Sequence, residues 1–178
     1  MILLAHYLGD LHQPLHVGAD YFGPNNKPVD PTKTRQFKAD RGGNDIHIIF
    51  SPPHSTRANN FHAFWDEDAV DLAFPDDDDD ANAKALAGSE PRNWQPQPGT
   101  AIESWAEAWA NEILPIASRA HTAVEFQGVG TDHQGNPFFM GQLNGRTYPG
   151  FAGTTAKQEI HKAGWRLANI LETVLKNN

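Results

Sequence analysis

Apolar residues fall at Leu4, Leu8 and Leu11 in the opening stretch, while His6, Asp10 and Gln13 fall between them. Side chains three or four residues apart share a helix face, so this spacing predicts an amphipathic helix from Met1 to about Gln13. Pro14 favours a break there, because it lacks an amide proton and restricts the residue before it. The apolar stripe is at full strength from Met1, with no capping residue ahead of it, which is unusual for a natural N-terminus.

Residues 18–44 are rich in Gly, Pro, Asn, Asp and Lys and are expected to form a long irregular loop. Such loops are uncommon unless functional or tied down. The loop closes on Asp40-Arg41-Gly42-Gly43-Asn44, and the β-branched run from Ile46 to Phe50 predicts a strand. Asn59 or Asn60 is placed to cap a helix running to about Phe74, where Pro75 ends it. A second helical stretch is expected to start within Asp76 to Asp80. Gln95 to Gly99 forms a link, and Thr100 with Glu103 fits a capping box for a helix reaching about His121.

Residues 126–152, dense in glycine and proline, are expected to be another loop. The last helix is expected to start near Thr155, with Gln158 at the capping-box position. Its expected buried stripe is Ile160, Gly164, Leu167, Leu171 and Val174. The pattern predicts a mainly α fold, several helices with a short β-hairpin or strand near residues 45–51, in a single domain over residues 1–178.

Composition narrows the chemistry. The 178 residues are 39% hydrophobic, enough for a sizeable core, and no apolar run is long enough to span a bilayer. No basic, signal-like start is present. The absence of cysteine excludes disulfides and thiolate sites, so a bound metal must use nitrogen and oxygen ligands. A formal charge of -8 argues against gripping nucleic acid through a broad basic surface. Bound divalent cations would reverse that field locally, and nine histidines beside 22 acidic residues make such a site worth seeking.

His6 and Asp10 lie one helical turn apart and can converge on one ion. His16 follows the proline break and can approach from another direction, as a tetrahedral site requires. His62 and Asp66 form a second pair at the same spacing on another helix. Imidazoles and carboxylates without thiolate suit hydrolytic zinc better than structural zinc. Spacing alone leaves the alternative of ordinary ion pairs on helix surfaces open.

The wording HYLGDLHQPLH, then GGN, then NFHAFWD resembles the zinc-dependent single-strand nucleases of the S1/P1 family, which also act on 3′-nucleotides. The C-terminal Lys162-Ala163-Gly164-Trp165-Arg166-Leu167-Ala168 is similar to the last helix of that family. By this resemblance His16, His62 and Asp66 form a complete protein ligand set for one zinc ion. His6 and Asp10 form half of a second, and Asp10, the implied catalytic carboxylate, bridges towards a third. The family's tryptophan and further His and Asp ligands lie upstream of the HxxGD stretch, so the chain is expected to be the C-terminal larger part of such a domain.

The implied activity is zinc-dependent hydrolysis of phosphodiester bonds in single-stranded DNA or RNA and of nucleotide 3′-phosphates, giving 5′-phosphate products. A monomer, secreted or periplasmic and not bound to a membrane, is implied as well. Two alternatives stay open. One is a zinc-dependent phospholipase C, whose family shares the opening motif but has a His-x3-Glu pair much sooner. The other is a catalytically silent fragment that zinc merely stabilises.

Further candidates carry paired readings. Asn44 either sits beside the metals or closes a turn. His12 either steadies Asp10 or a metal-bound water, or lies on the surface. Tyr21, Phe22, Phe138 and Phe139 either stack on bases or anchor packing. The acidic run Asp76 to Asp80 is most simply a solvated helix start favoured by the helix dipole, rather than a calcium site. The five tryptophans are expected to pack.

Overall fold

A computed structural model describes residues 2–76 and 78–176 of the chain. Met1, the expected start of the first helix, and Asp77 of the acidic run lie outside the described residues, as do 177 and 178. The first helix, α1 (Ile2–His12), stops before Pro14, and a short α2 (Pro14–Val17) restarts at the proline, which tolerates a first helical position. Two short strands, β1 (Tyr21–Phe22) and β2 (Lys38–Ala39), pair antiparallel and pin the ends of the long loop. The expected strand is β3 (Ile46–Ser51).

The helix after Asn60 is interrupted. α3 (Phe61–Ala63) passes through a π-helical turn (Phe64–Asp68) into α4 (Ala69–Ala73), and Asn60 caps its start by accepting the Ala63 amide at 2.8 Å. Inside the turn Asp68 is buried and accepts from the Arg57 and Ala58 amides and the Thr56 hydroxyl, tying it to the preceding segment. Asp78 caps α5 (Asp79–Ala87) by accepting the Ala81 amide, so the acidic run begins a helix. The capping box at Thr100 does not form: its hydroxyl donates to Gln97, and a 3-10 turn (Ile102–Ser104) leads into α6 (Trp105–Thr122).

The region expected to be a loop after residue 126 is instead a hairpin, β4 (Glu125–Thr131) and β5 (Pro137–Asn144). Its turn is held by Asp132, whose carboxylate accepts from the Gln134 and Asn136 amides. The sheet order is β3-β5-β4, with β3 parallel and β4 antiparallel to β5. The last helix, α7 (Tyr148–Lys176), starts earlier than expected. Asn144 accepts the Arg146 and Thr147 amides and leads the chain into it, and Pro149 falls in the first turn, where no amide proton is needed.

The buried stripe of α7 also differs in phase. Ala152, Ala156, Glu159, Ala163 and Arg166 are buried, while Ile160 and Val174 are exposed. Small residues let the neighbouring helix approach closely: a Cβ on Gly153 would lie 2.9 Å from the Leu72 Cβ of α4. The main core joins β3, β5, α3, α4 and the start of α7 around Ile46, Phe61, Phe64, Trp65, Leu143 and Tyr148. A smaller cluster of Leu8, Trp105 and Trp109, flanked by Leu167 and Ile170, packs α1 against α6 and α7. Together the two clusters hold α1, α2 and the π-turn around one cleft.

Candidate metal centre

His16 sits in α2, His62 in α3 and Asp66 in the π-turn, and their candidate ligand atoms all lie within 4.8 Å of one another. His16 Nε2 is 3.5 Å from Asp66 Oδ1, and His62 Nε2 is 3.4 Å from Asp66 Oδ2. The two imidazoles meet edge-on with centroids 4.7 Å apart. Among the described residues this is the group of three that is close enough to hold a metal ion.

Neighbours fix the orientation of each ligand. His62 Nδ1 donates to the Gly42 carbonyl at 2.7 Å, which leaves the lone pair of Nε2 directed at Asp66. Gln13 Nε2 donates to Asp66 Oδ1 at 2.8 Å, and its other amide atom accepts the Leu15 amide and caps α2. A single glutamine thus joins the break at Pro14 to the carboxylate. The donor set, two imidazoles and one carboxylate with outer hydrogen bonds in place, suits a divalent cation with a position left open for water or substrate.

The Gly42 carbonyl is itself held in place. Arg41, Gly42 and Gly43 have φ of 58°, 63° and 84°, so the chain makes three successive left-handed steps. A Cβ on Gly42 would lie 2.3 Å from the Leu15 carbonyl oxygen, so only glycine allows the loop to seat against α2. Beneath it the fully buried Asp40 accepts the Gly42 amide at 3.0 Å and the Asp20 amide at 3.1 Å. Its other oxygen lies 2.9 Å from His121 Nε2, and His121 Nδ1 bonds the Ala117 carbonyl. Burial alone lowers the His121 pKa, but the Asp40 hydrogen bond, the Asp20 and Asp40 charges and the Ala117 carbonyl outweigh it and raise the value. Both ring nitrogens face acceptors, the Ala117 carbonyl and the Asp40 carboxylate, and that geometry suits an imidazolium against a carboxylate. Sequence reading found no partner for His121.

His6 and Asp10 pair at 3.3 Å on α1, with His6 largely exposed. Asp10 lines the same cleft as His16 and Asp66, a space of about 210 Å³ walled by Trp65, Val70 and Ile160. Glu159 also faces it. Lys162 binds one of its oxygens at 2.9 Å, and the other is buried without a hydrogen-bond partner, ready to accept from a donor in the cleft. Nothing in the local spacing of α7 marked Glu159 for this place.

The other candidates fall mostly on the structural side of their paired readings. Asn44 donates to the Arg41 carbonyl and closes the turn; the Gly42 carbonyl, not Asn44, reaches the candidate ligand His62. His12 neither steadies Asp10 nor lies on the surface. It is buried, with Nδ1 on the Leu8 carbonyl and Nε2 2.8 Å from Arg166. Phe22 and Phe139 stack on each other in the core, Tyr21 meets Phe37 edge-on, and Phe138 stacks on His47. Trp65, Trp105 and Trp109 are core residues, and Trp94 packs against Trp165.

Over 76 residues the chain is 29% identical to Endonuclease 2 of Arabidopsis thaliana, a match covering 43% of this chain and 19% of that relative. No solved structure matches. Among the described residues no helix is long and apolar enough to cross a membrane. The S1/P1 Nuclease family model matches residues 1–176, nearly the whole chain, and the chain belongs to that family.

Proposed function

We propose that the chain is the zinc-binding part of a nuclease that hydrolyses phosphodiester bonds in single-stranded nucleic acid and 3′-phosphates of nucleotides, leaving 5′-phosphates. The observation that carries this reading is the convergence of His16, His62 and Asp66 at a cleft that Asp10 also lines. Those three residues would hold one zinc ion, and His6 with Asp10 would supply part of a further site. When bound, zinc activates water and neutralises the phosphate's charge, which an acidic protein otherwise repels.

The chain's own residues orient and exclude. His62 Nδ1–H stays hydrogen-bonded to the Gly42 carbonyl, so the ring presents the Nε2 lone pair to the site. Gln13 keeps the Asp66 carboxylate turned towards both imidazoles. Asp10 lines the same cleft, and its carboxylate would take the catalytic role in this reading. Trp65, Val70 and Ile160 limit water on one side of the cleft. A location outside the cytoplasm, secreted or periplasmic, belongs to the same proposal.

A second reading is a zinc-stabilised chain without catalysis. It is favoured by one observation: among the described residues His6 and Asp10 have no third ligand close enough to complete a site. The test is zinc content after extensive dialysis, followed by assay on a single-stranded oligonucleotide and on phosphatidylcholine vesicles. About one zinc per chain is expected for one complete site, falling to near zero in Asp66→Asn. Unchanged zinc in that variant would remove Asp66 from the site. Zinc without oligonucleotide cleavage would favour the silent reading, and lipid cleavage would favour a phospholipase.

A further inference from the structure

We infer that the buried Asp40–His121 ion pair is a positioning device for the metal centre, setting its affinity through the Gly42 peptide. The inference rests on the metal reading above and goes beyond it to two residues outside the proposed ligand set. The geometry forms a continuous relay. His121 Nε2 is 2.9 Å from Asp40 Oδ2, Asp40 Oδ1 accepts the Gly42 amide at 3.0 Å, and the Gly42 carbonyl accepts from His62 Nδ1 at 2.7 Å. Both ends of the Gly42 residue are therefore bonded, one to the ion pair and one to the candidate ligand.

The relay is rigid for identifiable reasons. Asp40 is fully buried and His121 is 3% exposed, so water does not compete for these bonds. The Leu15 carbonyl blocks movement of Gly42 on its α2 side. His121 is carried by α6, a helix of 18 residues whose Nδ1 anchor at Ala117 fixes the ring, and Phe61 packs edge-on against it. A flexible glycine loop alone would leave the His62 ring free to turn. The ion pair converts that loop into a fixed acceptor.

Removing an outer hydrogen bond of this kind weakens metal binding about 10- to 100-fold. The experiment measures zinc affinity by competition with a chromophoric chelator, and the visible spectrum of the cobalt(II)-substituted chain, for wild type, Asp40→Ala and Asp40→Asn. Near-ultraviolet circular dichroism establishes that each variant is folded at the assay temperature. Asp40→Ala is expected to bind zinc 10- to 100-fold more weakly, with an altered cobalt spectrum. Asp40→Asn keeps an oxygen that accepts the Gly42 amide but gives up the charge facing His121, so its affinity is expected to fall between those of Asp40→Ala and wild type.

A folded Asp40→Ala with wild-type affinity and spectrum would overturn the inference, because a merely stabilising pair changes unfolding and not the metal's surroundings. If Asp40→Ala does not fold, His121→Leu takes its place. That variant keeps the carboxylate but removes its buried partner, and the same two outcomes decide. Failure of the wild-type chain to bind zinc would refute the metal reading itself and is distinguishable from both.

Discussion

His12 donates Nδ1–H to the Leu8 carbonyl and accepts from Arg166 at Nε2, so the fold holds it neutral. Burial foremost, and then the Arg166 and Lys162 charges, push its pKa from 6.5 down to about 4. An unfolded chain protonates this residue first. The stabilisation is therefore complete above the unfolded value of 6.5 and is lost as pH falls from there towards 4. The loss is about 3 kcal/mol, from roughly 1.4 kcal/mol for each pH unit. His121 has the opposite sign, contributing below its ordinary pKa and less as pH rises through its raised one, so the comparison must isolate His12. Urea-unfolding midpoints are expected to fall more steeply between about pH 6.5 and 4 in wild type than in His12→Gln. Equal slopes would mean that His12 titrates normally in the fold.

At the scale of elements, the contact between α4 and α7 depends on Gly153. A methyl group there would lie 2.9 Å from the Leu72 Cβ and 3.1 Å from its backbone carbon, so the helices must separate. Gly153→Ala is expected to cost about 1–3 kcal/mol, because overpacking outweighs the better helix propensity of alanine. A thermal midpoint at or above that of wild type would show that the contact can relax. Gly141, Pro149 and Gly150 fall in the stretch whose glycine and proline content predicts a loop, whereas Gly141 packs closely in β5 and the other two lie in the first turn of α7. Local pattern was legible where one face decides structure: α1 up to Pro14, β3, the Asn60 cap and the end of α4. It also placed His62 and Asp66 as candidates, because a one-turn spacing is visible in the chain, and His16 for its position after the proline break. Asp40–His121 and His12–Arg166 were illegible because their partners lie 81 and 154 residues apart.

Across the whole molecule, Arg166 ties α1, α6 and α7 to the Asn93–Trp94 segment. It is fully buried and bonds the Asn93 and Trp94 carbonyls, Glu112 of α6 and His12 of α1, while its guanidinium lies 4.9 Å from the centre of the Trp109 ring. Arg166→Met fills similar space but leaves buried acceptors without donors, and is expected to lower stability by about 3 kcal/mol in urea unfolding. A change under about 1 kcal/mol would show that the surrounding carbonyls find water or new partners. The three-stranded sheet has a consequence of another kind. Among the described residues no strand covers the outer side of β4, yet the register slips between Phe126 and Gly128, whose φ is 147°. On the far side, β3 meets the Asn59–Asn60 segment instead of ending bare. Open strand edges are templates on which further copies of a chain can stack into fibres, and a bulge spoils the regular row of donors and acceptors that stacking needs. The irregularity that makes β4 a poor strand in sequence thus works against the addition of neighbouring molecules to the sheet.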